Sequence, residues 1–345
     1  MKRFKKASDI KVGVIGYGGA FNMGKAHLDL MKQAGMTPVA VMDVDKVRVE
    51  QAGKDFPGIE MYTSLTTMLA KSSVNFVVII TPHNTHAKIA LQCLNAGKHV
   101  CSEKPLAITT EECDKMIAAA KKNGLVLTTF HNRHWDGWII EAVRQIVREK
   151  RIGEVMRVEG HMGGYGKPGD WWRSSKSISG GILYDWGVHI LEYSLQLIDS
   201  EMVEVFGTAH NGFWASQTKW GKDTNEDEAK AVVRFKNGAW LSLQSSSTDL
   251  NSPEGFLTVT GTKGKYVMGG GLGYKIWYMQ DGQKRYEEGP NPPGHYEKFY
   301  KNVADHLVKG TELIITPQWS RRPIHILDLA NKSAKAGKAM KTKYA

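Results

Sequence analysis

Short apolar runs alternate with amphipathic stretches along the first 131 residues of the chain. The run over 74–80 is apolar on both faces, as expected of a central strand in a parallel sheet. Thr109 and Glu112 form a capping-box pattern at the start of a helix. This alternation predicts a doubly wound parallel sheet. The predicted strands cover 11–15, 38–42, 74–80, 98–101 and 125–129, and the predicted helices cover 24–34, 86–95 and 111–122.

The pattern changes after about residue 132, where segments with period-two alternation become frequent. Asn237-Gly238 and Thr262-Lys263-Gly264 are hairpin signals between such segments. We therefore expect a second α/β domain with an open, mostly antiparallel sheet and helices on one face. Its predicted strands cover 154–161, 204–209, 229–235, 239–246, 256–261 and 266–268, and its predicted helices cover 138–150, a segment around 185–197, 296–309 and 322–337.

The length of 345 residues agrees with two domains, expected over 8–131 and 132–345. The formal net charge is +11, and part of it lies in lysines near both ends of the chain. We interpret these lysines as solvated, because no nucleic-acid-binding motif accompanies them, and no nucleic-acid partner is expected. A basic field can still attract an anionic cofactor.

Three cysteines are present, and their odd number and lack of CxxC spacing argue against a disulfide framework or a zinc site. They favour a reducing compartment. The basic N-terminus is not followed by an apolar stretch of signal-peptide length, and no apolar run is long enough to cross a membrane. A cytoplasmic protein without a membrane partner is the expectation.

A glycine turn follows the first predicted strand directly. Gly16-Tyr17-Gly18 suits a tight turn beside a pyrophosphate, and Asp43, at the end of the next strand, suits the hydroxyl groups of an adenine ribose. Gly24 stands later than the third glycine of the usual pattern, so residues 20–23 are expected to form a longer loop over the phosphates. We interpret the segment as dinucleotide-binding; a generic strand–helix turn with a surface aspartate is the alternative.

Two polar segments end neighbouring predicted strands. The first runs from Thr81 to His86, and the second is Glu103-Lys104-Pro105. Open α/β sheets bind their ligands at the carboxyl ends of the strands, so both segments are expected at the ligand-binding edge.

Asp185 and His189 stand four residues apart after Gly180-Gly181. Helical spacing would place them on one polar face with Glu192 and Gln196, and a solvated amphipathic helix is the usual interpretation. Against it, residues 180–199 contain no lysine or arginine in a lysine-rich chain. A carboxylate beside an imidazole suits general acid–base catalysis, with a buried structural pair as the alternative.

The glycine turn, Asp43, Glu103-Lys104-Pro105 and the Gly180-Gly181-x3-Asp185-x3-His189 pattern occur in this order. This series resembles the glucose–fructose oxidoreductase / inositol dehydrogenase / rhizopine catabolism (Gfo/Idh/MocA) family over nearly the whole chain. The resemblance implies an N-terminal Rossmann domain, a C-terminal α/β domain with an open antiparallel sheet, and NAD as cofactor, with NADP as the alternative. The family's catalytic lysine, aspartate and histidine match Lys104, Asp185 and His189.

The sequence and the resemblance together give two sets of expected binding residues, and no metal ligands. The cofactor-binding set is Gly16, Gly18, Gly19, Ala20, Phe21, Asn22, Met23, Asp43, Thr81, Pro82, His83, Asn84, His86, Glu103, Lys104 and Arg133. The substrate-binding set is Lys104, His134, Trp135, Trp171, Trp172, Arg173, Asp185 and His189. Two positions depart from the family pattern: His134 stands where many members have an arginine, and Glu192 where an aspartate is commoner.

Adjacent tryptophans at 171 and 172 in a glycine-rich loop suggest a flat apolar surface for a sugar ring, although core packing is the usual role of a single tryptophan. We therefore expect an NAD-dependent oxidoreductase that acts on a hydroxyl of a sugar, glycoside or cyclitol, with proton transfer to His189. Redox-neutral sugar conversion with retained NAD and a non-catalytic dinucleotide-sensing regulator are the alternatives. The exposed face of the expected antiparallel sheet favours a homo-oligomer.

Overall fold

The computed structural model describes residues 3–18, 22–269 and 273–344. The chain forms two compact units, one of Met1–Asn132 with Glu297–Arg321 and one of Arg133–Tyr296 with Arg322–Ala345. The segment Glu297–Arg321 thus belongs to the first unit, whereas the sequence alone assigned everything after residue 131 to one C-terminal domain.

The first unit contains a six-stranded parallel sheet, which confirms the doubly wound fold. Its strands are β1 (Lys11–Ile15), β2 (Thr37–Met42), β3 (Glu60–Tyr62), β4 (Phe76–Ile79), β5 (His99–Ser102) and β6 (Leu127–Thr129), in the order β3-β2-β1-β4-β5-β6. The strand order reverses between β1 and β4, and such a switch point is where open α/β sheets bind ligands. Every residue of the central strand β4 is fully buried.

Helices flank this sheet. Thr109 caps one of them through the predicted capping box with Glu112. The helices are α1 (Met23–Gln33), α2 (Lys46–Asp55), α3 (Leu65–Lys71), α4 (His86–Asn95) and α5 (Thr110–Asn123). The sequence analysis missed α2, α3 and β3, because these short elements bury few side chains and carry little periodicity.

The second unit is built on a nine-stranded sheet in which the β7–β10 pair is parallel and the other pairs are antiparallel. This confirms an open, mostly antiparallel sheet, and both predicted hairpins are present. Its strands are β7 (Val155–Gly163), β8 (Met202–His210), β9 (Glu228–Phe235), β10 (Trp240–Ser246), β11 (Leu257–Gly261), β12 (Gly264–Met268), β13 (Tyr274–Gln280), β14 (Gln283–Gly289) and β15 (Met340–Lys341), in the order β14-β13-β12-β11-β7-β10-β9-β8-β15. The remaining helices are α6 (Gly137–Ala142), which continues as a π-helical stretch over Val143–Arg148, α7 (Lys176–Ser179), α8 (Gly187–Leu197), α9 (Lys298–Lys309, in the first unit) and α10 (Pro317–Ala336).

The helix expected to carry both Asp185 and His189 is shorter than predicted. A 3-10 turn covers Ile182–Tyr184, Asp185 follows it, and α8 begins only at Gly187. Moreover, α8 is buried on nearly every side, including Glu192, because it packs on the inner face of the sheet against β7 and β10. Asp185 and His189 therefore do not lie on one continuous helix, and the usual interpretation of a solvated amphipathic helix does not hold here.

Across the described ranges, no helix combines the length and the apolar character required to cross a membrane.

Candidate active site

The glycine turn leaves a cradle at the carboxyl end of β1. Gly16 and Gly18 have φ values of 89° and 85°, and a Cβ on Gly16 would lie 2.5 Å from the carbonyl oxygen of Ile80. A Cβ on Gly18 would meet the main-chain nitrogen of Met23 at 3.6 Å, so it would fill the space in front of the first amides of α1. Those amides are the groups that bind a pyrophosphate at a helix N-terminus, and this turn therefore fits a dinucleotide.

The displaced glycine, Gly24, has the packing role of the third glycine in the usual pattern. A Cβ there would lie 2.5 Å from the carbonyl oxygen of Tyr17, and the Gly24 amide donates to that oxygen at 3.2 Å. The extra residues therefore lengthen the loop without loosening the contact between helix and strand. Asn22 precedes α1 in a left-handed conformation and Met23 begins the helix, while Gly19, Ala20 and Phe21 lie outside the described residues.

Asp43 joins the end of β2 to the glycine turn. Its side chain is buried, and its two oxygens accept hydrogen bonds from the main-chain nitrogens of Tyr17 at 2.7 Å and of Asp45 at 2.9 Å. Arg48 donates to the carbonyl oxygen of Gly18 and lies 3.5 Å from the Asp45 carboxylate. A carboxylate and a guanidinium thus flank the place where an adenine ribose is expected.

The segment after β4 is fixed by its own hydrogen bonds. The hydroxyl groups of Thr81 and Thr85 are 2.6 Å apart, and His83 is buried while Asn84 is exposed. His86 is fully buried, with Nε2 2.8 Å from the Thr81 carbonyl oxygen and Nδ1 2.8 Å from that of Pro105. Burial lowers the pKa of His86. Its contacts favour a role in linking the two strand-end segments rather than in touching the cofactor.

Glu103 anchors the segment after β5. Its Oε1 lies 3.1 Å from Nε2 of His27, and its Oε2 accepts a hydrogen bond from the main-chain nitrogen of Lys104 at 2.9 Å. Burial opposes ionisation of this carboxyl, but the His27 hydrogen bond and the charges of His27 and Lys104 outweigh it and lower the pKa of Glu103. Glu103 therefore remains ionised and holds the main chain at Lys104, whose side chain is half-buried.

In the second unit, Asp185 and His189 stand at the start of α8. The His189 amide donates to the carbonyl oxygen of Trp186 at 2.9 Å, and its ring meets the Trp186 indole edge-on with 5.6 Å between centroids. His189 is 6% exposed, whereas the Asp185 side chain is 37% exposed. Asp185 Oδ1 lies 3.7 Å from Nε of Arg173. The structure thus brings a carboxylate, an imidazole and a guanidinium into one neighbourhood.

Two adjacent tryptophans, Trp171 and Trp172, flank Arg173. The Arg173 guanidinium lies 5.0 Å from the ring centroid of Trp171 and 4.9 Å from that of Trp172, within cation–π range. Trp171 is 39% exposed, so one indole remains accessible beside the arginine.

Arg133 faces groups of the second unit. It donates to Oδ2 of Asp136 at 2.9 Å and lies 4.7 Å from the centroid of the Trp186 ring. The hydroxyls of Tyr193 and Tyr296 donate to the same Asp136 oxygen, each at 3.1 Å. Burial opposes the charge of Arg133, but Tyr193, Tyr296 and Asp136 outweigh burial and raise the pKa of this guanidinium. These contacts orient Trp186 next to His189.

The two departures from the family pattern are partners in the structure. His134 Nδ1 and Glu192 Oε1 are 2.6 Å apart, and Gln196 donates to both Glu192 oxygens at 3.2 and 3.1 Å. Glu192 is 1% exposed, and His134 and Gln196 are hydrogen-bonding partners of its buried carboxyl group. Trp135 is buried with its ring 4.9 Å from that of His134, which favours a packing role.

Sequence reasoning missed Glu226, which holds the double-glycine turn ahead of Asp185. Its buried carboxylate accepts the main-chain N–H of Ile182 at 2.9 Å and pairs with Lys176. A Cβ on Gly181, whose φ is 128°, would lie 2.8 Å from Glu226 Oε2. The only local signal is an acidic pair before a strand, 44 residues from the turn that it supports.

The structure therefore gathers the glycine turn, Asp43, the two strand-end segments and Lys104 in the first unit. It gathers Arg133, His134, Arg173, Asp185 and His189 in the second unit.

Comparison with known families matches both units. Residues 10–131 match the model of the oxidoreductase family with an NAD-binding Rossmann fold, and residues 140–267 match the GFO/IDH/MocA C-terminal domain.

Individual relatives agree with these matches. The chain is 24% identical to the scyllo-inositol 2-dehydrogenase (NADP(+)) IolW of Bacillus subtilis, over 97% of this chain and 96% of that protein. It is 28% identical to a myo-inositol 2-dehydrogenase of Thermotoga maritima, over 74% of each. The crystal structure of an NAD-binding protein from Listeria innocua matches with a TM-score of 0.81 at 27% identity, over 97% of both chains. Levoglucosan dehydrogenase in complex with NADH shares the fold, with a TM-score of 0.80 at 20% identity, over 97% of this chain and all of that one.

The cradle at the glycine turn and the two family matches lead to one conclusion: this chain belongs to the Gfo/Idh/MocA family and is an oxidoreductase with an NAD-binding Rossmann domain.

Proposed function

We propose that this oxidoreductase is a dehydrogenase that oxidises a secondary hydroxyl group of a sugar, glycoside or cyclitol. One observation carries the proposal. The Asp185 carboxylate adjoins an arginine that is itself flanked by two indole rings, and His189 follows four residues later, in the first turn of α8. Hydrogen-bonding groups beside an aromatic face are what a polyol ring requires. The names of relatives that act on inositols support the same substrate class.

The first unit contains all of the expected cofactor-binding residues except Arg133. The Gly16–Gly18 turn and the start of α1 would hold the pyrophosphate, Asp43 would hold the adenine ribose, and the segment after β4 would border the rest of the dinucleotide. When bound, the nicotinamide accepts a hydride from the carbon that is oxidised.

His189 is the proposed base. It takes the proton of the substrate hydroxyl, and histidine is the side-chain type suited to proton exchange near neutral pH. Its ring is held against Trp186, and Trp186 is held by Arg133, so the imidazole has a defined orientation. Asp185 either binds a second hydroxyl or stabilises the imidazolium formed at His189.

Lys104 is the proposed electrostatic group. Its ammonium would stabilise the negative charge that develops on the substrate oxygen while the proton leaves. The main chain that carries it is fixed through Glu103.

The charge pairing around Asp185 narrows the substrate class. Arg173 lies beside Asp185, His134 beside Glu192, and Lys176 beside Glu226. Because each of these basic groups of the second unit already has a carboxylate nearby, we expect the site to favour a neutral polyol over a phosphorylated or acidic sugar.

A substrate panel tests the proposal. Purified protein is mixed with NAD and myo-inositol, scyllo-inositol, levoglucosan, methyl glucosides, glucose 6-phosphate or glucuronate, and reduced nicotinamide and sugar products are both measured. We expect reduced nicotinamide with at least one neutral polyol and much less with the two anionic sugars. Product without net cofactor reduction would favour redox-neutral conversion, and binding of NAD with no product from any compound would favour a regulator.

We also propose that the chain forms a homo-oligomer through the sheet face that α8 and α10 leave uncovered. Phe206, Met279 and Tyr286 are between 41% and 48% exposed, on strands of that sheet. Light scattering of the purified protein measures its oligomeric state, and a monomer at micromolar concentration would refute the proposed homo-oligomer.

A further inference from the structure

A buried row of polar side chains lies behind Glu103 in the first unit. The Tyr300 hydroxyl on α9 is 2.6 Å from Nδ1 of His27, and Nε2 of His27 is 3.1 Å from Oε1 of Glu103. The other oxygen of Glu103 accepts the main-chain N–H of Lys104. Both His27 and Tyr300 are completely buried.

The hydrogen bond between His27 and Glu103 has a fixed direction. Glu103 is ionised, so Nε2 of His27 carries a hydrogen and donates to it. Burial, together with the nearby Cys101 and Glu103, raises the pKa of Tyr300, so the Tyr300 hydroxyl stays protonated beside Nδ1 of His27. One imidazole thus connects a phenol on α9 with a carboxylate at the end of β5.

Aromatic rings pack around these polar side chains. Phe130 lies 4.3 Å from the His27 ring and 5.4 Å from the Tyr300 ring, and Phe299 lies 5.0 Å from Tyr300, all between centroids. In such surroundings a lost hydrogen bond is not readily replaced by water, so each member depends on the next.

We infer that Tyr300 and His27 are positioning residues that act through Glu103 to fix the main chain at Lys104 and hence the place of its ammonium group. Tyr300 belongs to the segment Glu297–Arg321, which returns to the first unit. The inference rests on the role proposed for Lys104. The competing explanation is that the row only stabilises the core.

A double-mutant cycle separates the two explanations. Tyr300→Phe removes one hydroxyl and keeps the ring, and it is made alone and together with Lys104→Ala. Turnover is measured with NAD and the panel polyol of highest activity. Tyr266→Phe, which removes a buried hydroxyl on β12 in the other unit, is the control.

We expect Tyr300→Phe to lower turnover about 10-fold, because small displacements of a charged group weaken its effect strongly. The dissociation constant of NAD should change less than about 2-fold, and Tyr266→Phe should retain normal turnover. With Lys104→Ala already present, Tyr300→Phe should lower turnover no further, because the two changes act through one group. Full additivity of the two losses would overturn the inference, as would normal turnover in Tyr300→Phe.

A second measurement needs no substrate. The rate at which acetic anhydride modifies Lys104 is followed by peptide mass spectrometry, with the exposed Lys32 as internal reference. Release of the main-chain anchor should raise the Lys104 rate about 3-fold or more in Tyr300→Phe, relative to Lys32. An unchanged ratio would contradict the positioning role. If Lys104→Ala retains full turnover, the proposed function of Lys104 fails, whereas a changed labelling ratio would still show that Tyr300 positions it.

Discussion

At the scale of single residues, His189 bears most of the proposed chemistry. His189→Ala should lower turnover by about 100-fold or more, the usual scale for a positioned proton acceptor. NAD affinity should remain, because the glycine turn, Asp43 and the two strand-end segments lie in the first unit. Steady-state kinetics and equilibrium NAD binding measure the two effects. His210→Ala, at an exposed histidine that ends β8, is the matched control. Turnover near that of the control would remove His189 from the catalytic set.

Cofactor choice also depends on single residues. The carboxylate of Asp43 should repel a 2′-phosphate while it binds a free ribose hydroxyl, so we expect a higher kcat/KM with NAD than with NADP. Arg48, which lies beside Gly18, is the cation that could reduce this preference. Asp43→Asn removes the negative charge and keeps one of the two oxygens that accept hydrogen bonds from the Tyr17 and Asp45 amides. It should shift the ratio toward NADP by about 10-fold. A native enzyme that prefers NADP would contradict this reading of Asp43.

The indole rings beside Arg173 should contact the substrate. Trp172→Ala should raise KM for the polyol several-fold and leave the assembly intact, because stacking contributes binding rather than chemistry. Trp277→Ala changes a tryptophan on β13 and serves as the control for the effect on KM of losing an indole. Kinetics and light scattering distinguish the outcomes: an altered assembly with unchanged KM would place the loop at a subunit contact instead.

At the scale of elements, β5 contains a histidine that makes stability depend on pH. His99 Nδ1 accepts the main-chain N–H of Val126 at 2.9 Å, which requires that nitrogen to be unprotonated. Burial, and to a lesser degree the charge of His306, lowers the pKa of His99 to about 4. The unfolded chain therefore binds this proton more readily than the folded one, and stability falls as pH drops below about 6.5.

Because of His99, the free energy of unfolding should fall by about 2 kcal/mol between pH 7 and pH 5. Urea unfolding of the native protein and of His99→Gln at both pH values measures it. Glutamine keeps an oxygen that accepts from the Val126 amide and does not titrate, so the variant should lose less stability on acidification by about that amount. Equal losses in both proteins would show that His99 does not carry the effect.

The elements also show how far local patterns reach. The parallel strands are predicted well because strands such as β4 are apolar throughout their length. The Asp185–His189 region is predicted poorly, because a 3-10 turn followed by a helix spaces polar residues in the sequence nearly as one continuous helix does. Helix α8 differs from an amphipathic helix because it is buried on nearly every side, and a buried Glu192 paired with His134 looks like a surface residue in the sequence.

At the scale of the whole molecule, the sequence indicated both sheets and the family but not the long-range contacts. His27 meets Tyr300 across 273 positions of sequence and Glu103 across 76. The hydrophobic periodicity of the sequence does not reveal such distant partners. It also does not reveal that Glu297–Arg321 belongs to the first unit. The residues predicted from motifs are those expected to meet the ligands, whereas the groups that support them, such as Glu226 and Tyr300, emerge only from the fold.

The central claim is that a hydride moves directly from a polyol carbon to the nicotinamide. Its most direct test uses the panel polyol of highest activity with deuterium on all of its carbons, NAD as acceptor, and mass spectrometry of the reduced cofactor. The account predicts one deuterium in each molecule of reduced nicotinamide and the corresponding carbonyl compound as product. Reduced cofactor without deuterium, or product that retains every deuterium, would contradict it.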